Sequence, residues 1–177
     1  MIWFLHNLKS DRRGAAVIEL AMVAPVLAIA VVGVVDMSNA YSRKLALEQG
    51  AQRAIEKIMQ TTEDSTVRDT LITEAVCQVN GLNANGTCKT TPITATNVTV
   101  NYIAECKNAG GTIVNTRTTT SATTFDGYTC GSGETEQNYI SVVVTDKYTP
   151  MFPVRKFGGI NADGTYHLSA EAGMRTQ

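Results

Sequence analysis

The chain has 177 residues, of which 44% are hydrophobic and 18% charged, and its formal net charge is −1. This length allows one domain and one additional element. The near-neutral charge argues against electrostatic binding to nucleic acid, which requires a clear positive excess. The composition is uneven, because the longest apolar stretch lies near the N-terminus while residues 80–138 are rich in Thr, Asn and Gly. The two parts therefore suit different solvents, and one of these is a membrane.

The N-terminal part has a basic leader followed by an apolar span. Lys9, Arg12 and Arg13 precede the run Ala15–Val35, in which Glu19 is the only charged residue. These 21 residues form a helix of about 31 Å, which is enough to cross the hydrocarbon core of a bilayer. The positive-inside rule keeps the N-terminus in the cytoplasm and sends the residues after the span across the membrane. We expect a single-pass membrane protein with an exported C-terminal part.

Two simpler interpretations of this segment stay open. A cleaved secretory signal has the same order of features and a small-residue site such as 38–40, although its apolar core usually has about 7–15 residues. The chain would then be a secreted protein. A plain anchor would make it a static membrane-anchored binding domain of the periplasm. Neither interpretation gives Glu19 a role. A charge in an apolar span costs a few kcal/mol, and somewhat less near an interface, so Glu19 is either a tolerated interfacial charge or a residue with a partner.

The carboxylate of Glu19 gains a partner if the chain is cut after Gly14, which creates a new amine on Ala15. Basic residues, this glycine, and a glutamate at the fifth position after it resemble the class III signal of type IV pilin-like proteins. The string RRGAAVIELAMVAPVL, residues 12–27, resembles the start of TadE-like proteins, the pseudopilins or minor pilins of the tight-adherence (Tad/Flp) pilus system. Pro25 and two later stretches, 148–153 and 168–175, fit the same group.

The resemblance implies a structural subunit of the bacterial inner membrane that acts in pilus assembly and adherence. A prepilin peptidase would cut between Gly14 and Ala15, and Glu19 would pair with the N-terminal amine of a neighbouring subunit. The implied partners are a second minor pilin, the major Flp-type pilin, the prepilin peptidase and the inner-membrane assembly platform. Leu20 stands where the major pilins commonly have tyrosine, which favours a minor subunit. The resemblance also implies a periplasmic C-terminal domain that can enter the extracellular pilus.

Two helices are predicted on the exported side. The apolar helix is expected to continue as a stem over residues 37–60, because apolar residues recur there at helical spacing. These residues are Leu47, Ala51, Ala54, Ile55 and Ile58. Gly50 interrupts the pattern and suggests a bend. A second helix is expected over residues 66–79, since Thr66 and Asp69 resemble a capping box and Asn80-Gly81 is a typical stop.

Apolar residues alternate with polar ones farther along the chain, which indicates strands. The predicted inward faces are Val98, Val100, Tyr102, Ala104 and Cys106; then Ile140, Val142 and Val144; and finally Tyr166, Leu168, Ala170, Ala172 and Met174. Residues 112–118 form a weaker strand candidate, and residues 117–124 an edge strand or a mobile loop. We expect an α+β, pilin-like fold in which a three- to four-stranded antiparallel sheet packs on the helices.

This interpretation of the sequence divides the chain into four parts. Residues 1–14 are the basic leader, 15–36 the transmembrane and assembly helix, 37–60 the stem, and 61–177 the exported domain. The exported domain contains Cys77, Cys88, Cys106 and Cys130, an even number that indicates two disulfides. Three pairings are possible. We favour Cys77–Cys88 and Cys106–Cys130, because each closes a short loop rich in Gly, Asn and Thr.

The sequence has little that suggests catalysis. A zinc site is disfavoured, because no cysteine pair has C-x-x-C spacing and no histidine is close in sequence. The two histidines are His6 in the leader and His167, which the strand pattern predicts to be a solvated surface residue. Nucleophile elbows, P-loops, dinucleotide fingerprints and metal-binding helix motifs are not found. We therefore expect no enzyme activity, no cofactor and no metal.

Overall fold

The computed structural model describes residues 12–60, 65–151 and 161–176. Within these ranges it has the helices α1 (Arg12–Gln60), α2 (Ser65–Asn80) and α3 (Ala122–Asp126). The strands are β1 (Val98–Lys107), β2 (Ile113–Thr119), β3 (Thr135–Tyr148) and β4 (Tyr166–Arg175), and a short 3-10 helix, Ala95–Asn97, precedes β1. The strands form one antiparallel sheet in the order β2–β1–β3–β4. The predicted α+β fold is confirmed, with four strands.

Helix α1 runs without interruption through both the apolar span and the stem. It has 49 residues, so it is about 73 Å long, and it includes Pro25. The predicted stem stripe is buried in full, from Leu47 to Ile58. Gly50 lies inside the continuous helix, where a Cβ would come within 2.5 Å of Cγ2 of Val79 and 3.1 Å of the carbonyl oxygen of Ala75. This glycine therefore permits close approach of α2, and does not end or break α1.

Helices α1 and α2 pair side by side and cover one face of the sheet. Charges on the two helices meet at Glu74 of α2, whose carboxylate lies 4.0 Å from Arg53 and 3.3 Å from Lys57. The predicted stop of α2 is confirmed, because the amide of Gly81 donates to the carbonyl of Cys77 over 2.8 Å and Gly81 has a φ of 76°. A positive φ of this kind is typical of glycine after a helix.

The core lies between the two helices and the inner face of the sheet. The residues predicted to point inward from β1 and β3 are buried, and those of β4 are buried or half-buried. On β1, Tyr102 lies in this core with its ring centroid 5.4 Å from that of Phe125 on α3. The undecided stretch 117–124 divides between the end of β2 and the start of α3, whose first turn is capped by Oγ of Ser121 accepting from the amide of Thr124.

Several predictions fall outside the described residues. These are the leader as far as residue 11, with Lys9 and His6, the connection 61–64, and the loop residues 152–160. The side chains of Thr66 and Asp69 also lie outside them, so the proposed capping box stays a prediction.

Candidate functional site

The most unusual surface of the molecule is the first half of α1. Every side chain described from Ala16 to Val31 is exposed, including large apolar ones such as Ile18 and Leu20. The most apolar 18-residue window of this helix has a mean hydropathy of 2.5, and none of it is buried in the fold. Contiguous apolar surface of this size is rare on a soluble monomer and marks contact with a membrane or another protein. By length and composition, this helix can cross a membrane.

The residues predicted to direct processing and assembly lie at the start of this exposed helix. Gly14 is exposed in the first turn, and a Cβ there would meet nothing within 4 Å. Glu19 is exposed one helical turn after Ala15, so a carboxylate there and an amine on Ala15 would share a face. The backbone of Arg12, Arg13 and Ala15 is helical, whereas their side chains lie outside the described part.

The exposed helix is also the part of the chain with a known counterpart. Residues 14–55 match the family model described as TadE-like protein. This N-terminal segment is similar to TadE-like proteins. The match begins at Gly14 and includes the apolar span and most of the stem, but not the sheet. Neither the curated proteins nor the solved structures gave a significant match. The TadE-like segment suggests a component associated with the Tad pilus machinery and anchored by its apolar helix.

The TadE-like segment is fixed to the C-terminal domain where the apolar span ends. Asp36, the first residue after the span, is only 7% exposed. Its Oδ1 accepts hydrogen bonds from the backbone amide of Met151 over 2.9 Å and from the hydroxyl of Tyr148 over 3.3 Å. Desolvation raises the pKa of Tyr148 above 10.0, as does the charge of Asp36, although a hydrogen bond with Asn39 opposes this. The hydroxyl therefore stays protonated and able to donate at neutral pH.

A second attachment lies two helical turns after Asp36, towards the C-terminal end of α1. Nε of Arg43 donates to Oδ2 of Asp146 over 2.6 Å, and both side chains are mostly buried. Asp36, Ala40, Arg43 and Leu47 follow one another at intervals of four, three and four residues, so they share the helix face that meets the sheet. The sequence interpretation assigned no role to Asp36 or Arg43. The helical spacing could have indicated such a role, because both residues extend the buried stripe that includes Leu47 towards the N-terminus.

All four cysteines lie in described parts of the chain and form the two favoured disulfides, Cys77–Cys88 and Cys106–Cys130. Their sulfur atoms are bonded to each other, so they supply no thiolate for the zinc alternative. Sγ of Cys106 is buried 3.4 Å from the hydroxyl of Tyr128. The second disulfide therefore ties the segment after α3 to the end of β1.

The loop of the first disulfide is held to the end of α2 by a buried amide. Nδ2 of Asn80 donates to the carbonyl oxygens of Lys89 and Ile93, and Oδ1 of Asn80 accepts from the amide of Ile93. These bonds span the segment between the first disulfide and β1. Asn80 thus acts as a second connection beside Cys77–Cys88.

His167 is exposed on the outer face of β4, as the strand pattern predicts. Its Nε2 lies 2.8 Å from Oδ2 of Asp163, which also accepts from Nζ of Lys147 over 2.9 Å. The hydrogen bonds with His167, Lys147 and Thr165 hold the pKa of Asp163 well below its ordinary value of 3.8. This small ionic cluster closes the turn that leads into β4.

Proposed function

We propose that the protein is a minor pilin or pseudopilin, a structural subunit of a Tad (Flp) type IV pilus that acts in assembly and adherence. The observation that supports this most strongly is the uncovered TadE-like helix, which continues without a break into the folded exported domain. In the membrane, lipid would cover this apolar surface. In a pilus, the helices of other subunits would cover it. The exported domain would act by its surface and stability, with no catalytic role.

The precursor would be cut between Gly14 and Ala15 by a prepilin peptidase. The TadE-like match starts at Gly14, and this residue is exposed with open space around its Cα. A peptidase that needs a small residue before the cut could therefore approach the chain there. The basic residues Lys9, Arg12 and Arg13 would stay in the cytoplasm, which orients the domain towards the periplasm.

Glu19 would then pair with the amine of Ala15 on a neighbouring subunit. A carboxylate is costly in an apolar span, and such groups in membrane segments usually have a partner. Glu19 is exposed on α1, so a neighbouring chain can reach it. The neighbours would be a second minor pilin and the major Flp-type pilin, placed together by the assembly platform of the inner membrane.

The N-terminus of the protein isolated from membranes tests this proposal. Edman sequencing and intact mass should show a chain that starts at Ala15. A start at Met1 with normal pili would favour a static anchor, and a start near Tyr41 a secreted protein. A Gly14→Asp variant should accumulate as the uncut precursor, since the peptidase would no longer accept the residue before the cut.

Substitution of Glu19 separates assembly from insertion. Glu19→Ala should insert into the membrane and be processed, but should lose incorporation into pili, counted by electron microscopy and immunoblotting of sheared fibres. Leu20→Ala is the matched control, because it removes a neighbouring side chain that is also exposed but has no charge. Wild-type piliation in Glu19→Ala would rule out the assembly role of this carboxylate.

A further inference from the structure

We propose that the membrane-proximal end of the exported domain rests on the lipid surface, with Met37, Tyr41 and Met151 in the headgroup layer. These three residues are called the membrane-proximal surface below. The proposal rests on the anchoring of α1 that forms part of the proposed function. It goes further, because it names a lipid contact made by the folded domain itself.

The first argument is that Met151 lies level with the end of the apolar span of α1. Its backbone amide is bonded to the carboxylate of Asp36 over 2.9 Å. Asp36 directly follows the apolar run, which at about 31 Å matches the hydrocarbon core of about 30 Å. Met151 therefore lies at the level where the hydrocarbon ends. The headgroup layer on each side of a bilayer is about 5–7.5 Å thick, so a side chain at this level meets lipid headgroups.

The second argument is the chemistry of the exposed side chains at this level. Met37, Tyr41 and Met151 are 66%, 63% and 67% exposed. Met37 and Tyr41 lie about 1.5 and 7.5 Å above Asp36 along the helix axis, so Met37 is inside the headgroup layer and Tyr41 is at its outer edge. Tyrosine is enriched at membrane interfaces, where its ring meets apolar chains and its hydroxyl meets water. An apolar or amphipathic surface at this position is what a lipid interface would cover.

The third argument is the fixed position of the domain on its helix. The bonds of Asp36 to Met151 and Tyr148, and the Arg43–Asp146 pair, attach α1 to the end of β3 at two levels. Pro150, next to Met151, is buried. The domain thus cannot lift Met151 away from the bilayer without breaking these bonds.

The experiment places single tryptophans in the full chain, in a Trp3→Phe background, reconstituted in phosphatidylcholine nanodiscs. The informative position is Met151→Trp. Leu82→Trp is the matched control, because Leu82 is a similarly exposed apolar residue of the disulfide loop. Val26→Trp, inside the apolar span, reports whether α1 is in the bilayer. Each protein is measured in ordinary lipid, in lipid brominated near the glycerol end of its acyl chains and in lipid brominated near the chain ends, which Val26→Trp would meet at the middle of the bilayer, and then with aqueous iodide.

We expect the emission of Met151→Trp to be blue-shifted, as for a ring at the interface. Its fluorescence intensity should fall at least about twofold in the lipid that is brominated near the glycerol end. Leu82→Trp should keep its emission and be quenched by iodide. If brominated lipid quenches Val26→Trp while Met151→Trp behaves like Leu82→Trp, α1 lies in the bilayer but Met151 does not contact lipid, and the proposal is wrong. A blue shift at Met151→Trp without bromine quenching indicates a protein neighbour and also overturns the lipid contact. Failure at Val26→Trp would instead refute the anchoring itself.

Discussion

Nε of Arg43 donates a 2.6 Å hydrogen bond to Oδ2 of Asp146, which lies 103 residues farther along the chain. The two side chains are 21% and 12% exposed, so water screens this pair less than an ion pair on the surface. The bond joins the stem to the C-terminal end of β3. Together with the bonds of Asp36, it joins the apolar helix and the C-terminal domain into one mechanical unit.

Removing either partner of the Arg43–Asp146 pair should destabilise the protein. Arg43→Ala and Asp146→Ala should each lower the free energy of unfolding by about 1.5–3 kcal/mol, because a charged hydrogen bond is lost and its partner stays partly buried. The double variant should lose clearly less than the sum of the two. Denaturant unfolding of the full chain in detergent measures this. Lys44→Ala is the control, since its exposed 3.8 Å pair with Glu48 should matter by less than about 0.5 kcal/mol. Strict additivity would contradict the bond.

A methyl group at Gly50 should destabilise the helix pair. Glycine to alanine in an open helix normally gains about 1 kcal/mol, but here the Cβ would lie 2.5 Å from Val79 and 3.1 Å from the backbone of Ala75. We expect Gly50→Ala to lower the melting temperature, because overpacking costs about 1–3 kcal/mol. Gly33→Ala is the control, since its Cβ would meet nothing within 4 Å. In a Val79→Ala background the loss at Gly50 should shrink, and a stabilising Gly50→Ala would refute the close packing.

The two disulfides should contribute unequally to stability. Replacing Cys106 and Cys130 by alanine should cost more than replacing Cys77 and Cys88. The larger disulfide has a sequence separation of 24 against 11, and Cys106 is fully buried. Each loss should lie near 2–4 kcal/mol, with a loop-length difference of about 0.7 kcal/mol. Non-reducing peptide mapping checks the pairing, and a peptide that links Cys88 to Cys106 would contradict it.

The Asp163 cluster should make the protein sensitive to acid. The pKa of Asp163 is held below its ordinary 3.8 in the folded state. Its contribution to stability is therefore present above that ordinary value and is lost as the pH falls through the lower, folded value. Below about pH 4 the melting temperature of the wild type should fall more steeply than that of Asp163→Asn. Added salt should reduce the difference. Parallel acid profiles for the two proteins would rule out the linkage.

The sequence determined those features that depend on neighbours along the chain. Periods of two and of about 3.6 residues gave the inward faces of β1 and β3 and the buried stem stripe, because local geometry alone decides which side chains share a face. The length of the apolar run gave a helix that can span a membrane. The favoured disulfides also close short loops, so their cysteines are never far apart.

Only the tertiary structure decided features that depend on what faces a residue. The strand order β2–β1–β3–β4 joins segments that are far apart in sequence, and the partners of Asp36 and Arg43 lie more than 100 residues away. Gly50 shows the same limit, because a glycine inside a helical pattern suggests a bend until the facing helix is known. A sequence period specifies the direction of a side chain. It does not specify which distant backbone or charge occupies the space in that direction, and this decides whether a residue bends, packs or binds.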